Sequence, residues 1–358
     1  MENFHQTAPY VGRTIDRNTH ESVSALALDF LNNHQDLFAE RVKCGYIRDC
    51  HGDLHLDHVL ILDGIMLIDC IEFNDRFRYG DTAADLAFLL MDLEFRGYPD
   101  FAARIARRYA QTSGDEGVLR LLGFYKSYRA FVRGKVLSLT FDEAEVSEAE
   151  KRTAIETAHE YFLLSVASLK PPRPPVLIAV CGLIGSGKSF LARRLGTRLG
   201  VEPLQSDDIR KRMYGLSPSE HRLDKYGEGI YTPDATRRTY EALMGEAGRV
   251  LGTGRSVILD ATFSSASERM AARDKAREKS ARFRLIECTA EDQEIRDRLE
   301  RRAAEENEPS DGRWEIFEQH KSDFEPIGYG EREGHRVWDS KTDVNRFLDA
   351  FVRELITS

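Results

Sequence analysis

Little in this chain of 358 residues suits a membrane, a secretion route or a cysteine-based site. No apolar run approaches the roughly 20 residues of a membrane-spanning helix, and the polar opening MENFHQTAPY is no signal peptide. The five cysteines, Cys44, Cys50, Cys70, Cys181 and Cys288, form no C-x-x-C pair. That argues against a disulfide framework or a cysteine zinc site, and it makes a reducing cytoplasm the expected location. Excess positive charge is also missing. The net charge of −9 disfavours a long nucleic acid as partner, although a local basic lid would still hold phosphates. Internal repeats and long low-complexity tracts are absent. What remains is an ordinary globular composition, 41% hydrophobic and 31% charged, in a chain long enough for two domains.

The stretch around which the rest is organised is PVLIAVCGLIGSGKSFLARRLG. Its apolar run Val176–Cys181 predicts a buried strand, and Phe190, Leu191, Leu195 and Leu199 predict an amphipathic helix. Between them lies G-x-x-x-x-G-K-S, with Gly182, Gly187, Lys188 and Ser189 in the fixed positions. Glycines let the backbone close on a phosphate chain with successive N–H groups turned inward, and the helix N-terminus favours the same anion. The residues expected to bind the nucleotide are therefore Gly182, Leu183, Ile184, Gly185, Ser186, Gly187, Lys188, Ser189 and Phe190. Lys188 would reach the β- and γ-phosphates, and the Ser189 hydroxyl would ligate Mg²⁺.

Strand-like Val201–Leu204 runs into QSDDIRK. Ligands of open α/β sheets collect beyond the carboxyl ends of the strands, so Asp207 is placed to take a proton from an acceptor hydroxyl. Alternatively, Ser206, Asp207 and Asp208 would supply the N-cap and first-turn acids of a helix. Arg210, one turn on, would face the same cleft. The strand of VILDATF ends at Asp260, expected to share the metal with Ser189. Arg269 lies on the helix that follows, and Phe283–Cys288 reads as another strand. Beyond it, Arg298 and Arg301 sit on a helix leading into the polar flap Ala303–Arg313. Such arginines either deliver charge to a transferring phosphoryl group or form an ordinary charged helix face.

The N-terminal half has another texture. Residues 20–40 present one helix face through Val23, Leu26, Phe30, Leu31, Leu37 and Phe38. Val59–Leu62 and Ile65–Ile68 flank Asp63-Gly64, a strong hairpin signal. A hairpin would bring Asp53, His58 and Asp69 together. From Phe101 to Leu169 the spacing is helical, broken at Gln111–Glu116. The aromatics Phe124, Tyr125, Tyr128 and Phe131 read as core, and Arg129, Arg133 and Lys135 as a solvated face. The Pro-rich Lys170–Pro175 predicts a stiff spacer, giving domains 1–169 and 176–358 around the linker 170–175.

HGDLHLDHVLILDGIMLIDCIEFND followed by YGDTAADLAFLLMDL resembles the catalytic lobe of aminoglycoside phosphotransferases and choline kinases, within the protein-kinase-like superfamily. The resemblance covers roughly residues 44–135. It implies a base at Asp53, metal ligands at His58 and Asp69, and structural roles for Asp81 and Asp85. Two departures stand out. The family has Asn where this chain has His58, and it carries an upstream strand-rich lobe with a nucleotide-clamping lysine. The fifty residues before His51 read as helix instead, so this second site is expected to be degenerate. The run from the glycine-rich loop through SDDIRK, VILDATF and RDRLERR resembles phosphate-loop kinases grouped with polynucleotide kinase and zeta toxins, and implies a base at Asp207 and a substrate contact at Arg210. The whole chain resembles a bacterial fusion of the two, shortened at its start.

The expected fold is α/β: a mostly helical kinase-like lobe with a β-hairpin, then a phosphate-loop domain with a parallel sheet flanked by helices. The expected activity is ATP- and Mg²⁺-dependent phosphoryl transfer to a small-molecule or nucleotide-type hydroxyl acceptor in residues 176–358. Transfer at Asp53, or a nucleotide-dependent switch without an acceptor, are the alternatives. Oligomeric state is not legible in the sequence.

Overall fold

Side-chain caps set the starts of most long helices in the N-terminal half. After the short helix α1 (Glu2–Thr7), Asp16 accepts from the Thr19 amide at the head of α2 (Arg17–Asn33). The helix face read over residues 20–40 is two helices, because the backbone breaks at His34 before α3 (Gln35–Lys43). Strand β1 (Ile47–Asp49) leads to the hairpin β2 (Val59–Ile61) and β3 (Ile65–Leu67), which pairs Ile61 with Ile65 across Asp63-Gly64 as the dipeptide predicts. A single turn, α4 (Asp75–Arg78), and strand β4 (Tyr79–Asp81) follow, with β4 antiparallel to β1.

Asp81 then caps α5 (Thr82–Phe95), and α6 (Pro99–Ser113) ends at Gly114 in the left-handed conformation. α7 (Val118–Leu139) and α8 (Glu148–Leu169) complete the set, the latter opened by a Ser147–Glu150 capping box. Leu86, Leu90, Ala106, Leu121 and Leu122 form one part of the core, and Val23, Phe131, Phe162 and Val166 another. Of the aromatic stripe, Phe131 is buried and Tyr128 exposed. Arg129 departs from the expected solvated face: its guanidinium lies 4.8 Å from the centre of the Phe88 ring and 3.8 Å from Asp85. Arg41 is buried between Asp81 and Asp115, at 2.7 and 2.5 Å.

In the C-terminal half, β5 (Val176–Gly182) is buried along its whole length, as a strand covered on both faces must be. It is central in a parallel sheet of order β6-β7-β5-β8-β9, with β6 (Pro203–Gln205), β7 (Val257–Asp260), β8 (Arg282–Thr289) and β9 (His335–Asp339). β6 starts two residues later than the expected Val201–Leu204. The edge strand β9 had no signal in the sequence, since only Trp338 of its five residues is buried. The helices are α9 (Lys188–Leu199), α10 (Ser206–Met213), α11 (Pro233–Gly252), α12 (Ala266–Glu278), α13 (Asp292–Ala303), α14 (Phe317–Asp323) and α15 (Val344–Thr357). Leu177, Ala179, Leu259 and Leu285 of the sheet pack with Leu243 and Ala247 of α11 and Ala272 of α12.

This computed structural model describes residues 2–143, 145–217, 228–303 and 314–357. The chain divides into two units: Met1–Pro171 with Thr197–Val201 and Val352–Ser358, and Pro172–Gly196 with Glu202–Phe351.

Candidate functional site

The glycine-rich turn after β5 closes tightly because three of its residues adopt backbone angles that side chains resist. Gly182, Gly185 and Gly187 have φ of 137°, 77° and 98°. At Gly182 the space is also taken: a Cβ there would lie 2.3 Å from the carbonyl oxygen of Cys288. Leu183 and Ile184 anchor the turn on Ile295, Leu299 and Phe317. The Ser186 hydroxyl is buried inside the turn without a hydrogen-bond partner, an orphaned polar atom within the glycine-rich loop. Phe190 is exposed beside Trp338 and is not among the residues lining the cavity that opens from the loop.

Lys188 opens α9, and its Nζ donates to the Leu183 carbonyl at 2.8 Å. Burial pushes its pKa down, and the carboxylate of Asp260 works against that shift. Asp260 ends β7 opposite Val180 of β5, so sheet register brings it to the loop. Burial raises its pKa, countered by a hydrogen bond from Ser189 and by the charge of Lys188. The Ser189 hydroxyl and Asp260 carboxylate are hard oxygen donors of the kind Mg²⁺ takes, so these residues fit that ion.

A cavity of about 1320 Å³ opens from the loop, lined by Lys188, Ser189, Asp207, Arg210 and Asp260 among others. The structure thus brings these five sequence-read residues, together with Ile184, Gly185 and Gly187, to one cavity. Asp207 and Asp208 are half-buried in the first turn of α10, and burial raises the Asp208 pKa. Gln205 is the N-cap of that helix and gives no side-chain cap, so Ser206 does not cap it. Arg210 is buried, donating to the Ile230 carbonyl at 3.0 Å and to Thr236 at 3.2 Å, with its guanidinium 4.7 Å from the Tyr231 ring centre. Arg298 donates to the Gly185 carbonyl at 3.2 Å, whereas Arg301 is exposed. Arg269 lies elsewhere, buried with Glu331. Residues 304–313 of the expected flap lie outside the described residues.

Sequence reasoning missed His320 of α14, which lines the same cavity. Burial and the nearby charge of Lys188 lower its pKa to about 4. Nothing local marks it, since α14 is far along the chain from the loop. Tyr240 of α11 was missed as well. Its hydroxyl accepts from the Phe263 amide at 2.8 Å and holds the segment after β7.

The residues of the second sequence-read site also come together. Asp85 accepts from the amides of His51 and Gly52 at 2.6 and 2.9 Å, turning the loop that carries Asp53. The hairpin brings Asp69 back, with its carboxylate 3.3 Å from His58 Nε2. His55 joins them, its ring centre 4.0 Å from that of His58, and was not anticipated. Mg²⁺, the ion implied for this lobe, does not fit a donor set in which imidazole nitrogens face the carboxylates.

Comparison with known proteins agrees with this two-part build. A model of the AAA domain matches residues 177–327, and a model of the phosphotransferase enzyme family matches residues 2–122. The second match starts well before the expected 44. Uncharacterised proteins of Mycobacterium tuberculosis and Mycobacterium bovis are each 32% identical over 306 residues, covering 84% of this chain and 59% of theirs. The chain therefore spans about three-fifths of the length of these relatives. A shikimate kinase of Paramagnetospirillum magneticum is 32% identical over 100 residues, 28% of this chain and 50% of that one. Among solved structures, Kti12 of Chaetomium thermophilum in complex with ADP-AlF3 is 19% identical, with a TM-score of 0.40, over 51% of this chain and 100% of that one. The chain joins an N-terminal domain resembling aminoglycoside phosphotransferases to a C-terminal phosphate-loop domain resembling kinases.

Proposed function

We propose that the chain is an ATP-dependent phosphotransferase whose working site is the cavity beside the glycine-rich loop. The observation that carries this is that Lys188, Ser189, Asp207 and Asp260 line one cavity, next to a loop that buries an unpartnered serine hydroxyl. The local likeness to a shikimate kinase supports a small hydroxylated acceptor. Loop amides and Lys188 hold the β,γ-phosphates of ATP, and the arriving negative charge favours the ammonium form that burial disfavours. Ser189 and Asp260 would hold a magnesium ion, which neutralises phosphate charge when bound. Asp207 accepts the proton of the acceptor hydroxyl as its oxygen attacks the γ-phosphorus and the bond to ADP breaks. Arg210 positions the acceptor, while Arg298 and Arg301 offset charge on the phosphoryl group in flight.

ATP consumption with and without a pool of hydroxyl compounds tests this in four proteins: wild type, Lys188→Ala, Asp207→Asn and Asp53→Asn. Acceptor-dependent turnover should vanish in Lys188→Ala and Asp207→Asn and survive in Asp53→Asn. Loss in Asp53→Asn alone would move the chemistry to the N-terminal domain. Basal hydrolysis equal in wild type and Asp207→Asn, with no acceptor effect, would leave a nucleotide switch.

A further inference from the structure

Two imidazoles and a carboxylate converge in the N-terminal unit. His55 Nε2 lies 3.5 Å from Asp53 Oδ2, and His58 Nδ1 lies 3.8 Å from the same oxygen. Potential ligand atoms of the three residues all lie within 4.8 Å of one another. Around a tetrahedral zinc ion with bonds of about 2.0–2.1 Å, ligand atoms stand roughly 3.4 Å apart, so these spacings need only small side-chain shifts to close on an ion.

The outer sides of both rings are matched too. His55 Nδ1 faces Asp57 Oδ2 at 3.5 Å, and His58 Nε2 faces Asp69 Oδ2 at 3.3 Å. A carboxylate behind each imidazole is how proteins orient histidines that ligate metals. The arrangement is awkward without a cation. A neutral imidazole carries one N–H, while each ring has a carboxylate oxygen 3.3–3.8 Å from each of its nitrogens. His55 is 6% exposed, and its Nδ1 has no hydrogen-bond partner.

We propose that Asp53, His55 and His58 bind a first-row transition metal ion, zinc foremost, with Asp57 and Asp69 as positioning carboxylates behind the two rings. His58 exchanges its 2.9 Å contact with the Asp53 carbonyl for the ion. Asp53 is 40% exposed, so a coordination position stays open to solvent. Mixed nitrogen and oxygen donors select such an ion over magnesium. The assignment is independent of the loop site.

The test uses the full chain, stripped of metal and free of nucleotide, titrated with Zn²⁺ and with Mg²⁺ by calorimetry and with Co²⁺ by visible absorption. The expected result is one zinc per chain, bound at least about a hundredfold more tightly than magnesium. His55→Ala and His58→Ala should each weaken zinc binding at least about tenfold, and Asp69→Asn by about tenfold through the lost orientation of His58. Asp260→Asn should leave it unchanged. Circular dichroism verifies that each variant folds, and His58→Asn replaces His58→Ala if the latter does not. No zinc uptake by folded wild type, equal affinity for zinc and magnesium, or uptake lost in Asp260→Asn yet kept in the histidine variants would each overturn the proposal.

Discussion

Arg298 reaches the phosphate-binding loop from α13: its Nη1 lies 3.2 Å from the carbonyl oxygen of Gly185, while Nη2 pairs with Glu294 at 2.5 Å. One guanidinium therefore ties the loop to a helix 113 positions further on and sets a positive charge beside the expected γ-phosphate. Arg298→Ala should lower ATP turnover about 10²- to 10³-fold, the usual effect of removing one fixed donor from a developing charge. Arg298→Lys should recover little, since an ammonium cannot reproduce the fork that serves both partners. Arg301 is exposed, and Arg301→Ala should cost less. Steady-state turnover of the three variants decides.

Gly182 cannot carry a side chain. Its φ of 137° and the Cys288 carbonyl, 2.3 Å from a built Cβ, act together. Gly182→Ala should lose about 2 kcal/mol or more in urea unfolding and lose ATP binding. Gly254→Ala is the control, because Gly254 has φ of 77° but open space around it, and should cost only about 1 kcal/mol.

Asp260 is a buried carboxyl at the end of β7. Burial raises its carboxyl pKa in the folded state, so folding favours the protonated form. Stability linked to this group is complete below the ordinary carboxylate range and is lost as pH rises through the folded value. At pH 7 the wild type therefore bears a cost that Asp260→Asn escapes. The variant should melt higher than wild type at pH 7 without nucleotide, show no such advantage near pH 3, and fail to turn over ATP. A lower melting point at pH 7 would show that the contacts with Ser189 and Lys188 outweigh burial.

His320 works with the opposite sign. Its folded pKa of about 4 lies below the ordinary 6.5, so its contribution is complete above pH 7 and is lost as pH falls through that interval. At pH 5 the penalty is about 2 kcal/mol, from 1.36 kcal/mol per pH unit. Thermal melts at pH 7 and pH 5 should show a smaller acid-side drop in His320→Gln than in wild type.

Several elements could be read directly from residue order. Asp63-Gly64 between two apolar runs specified its hairpin, and Val176–Cys181 its buried strand, because a turn dipeptide and an unbroken apolar run are both local signals. Arg129 misled, since a cation on a polar-looking helix face gives no sign that Phe88 and Asp85 will cover it. β9 stayed hidden because one buried residue in five leaves no alternation to detect.

From the sequence alone came the phosphate-loop pattern, the acids at the strand ends, the HGD hairpin and the two-part organisation. Each rests on neighbours along the chain whose geometry the backbone enforces. Tertiary structure alone put His320 on the cavity wall, set Arg298 on Gly185 and closed His55 onto Asp53 and His58. The first two join positions remote in the chain, where only packing chooses the partner. The third depends on which way a ring turns once Phe88 lies 5.5 Å from it, and no residue spacing encodes that.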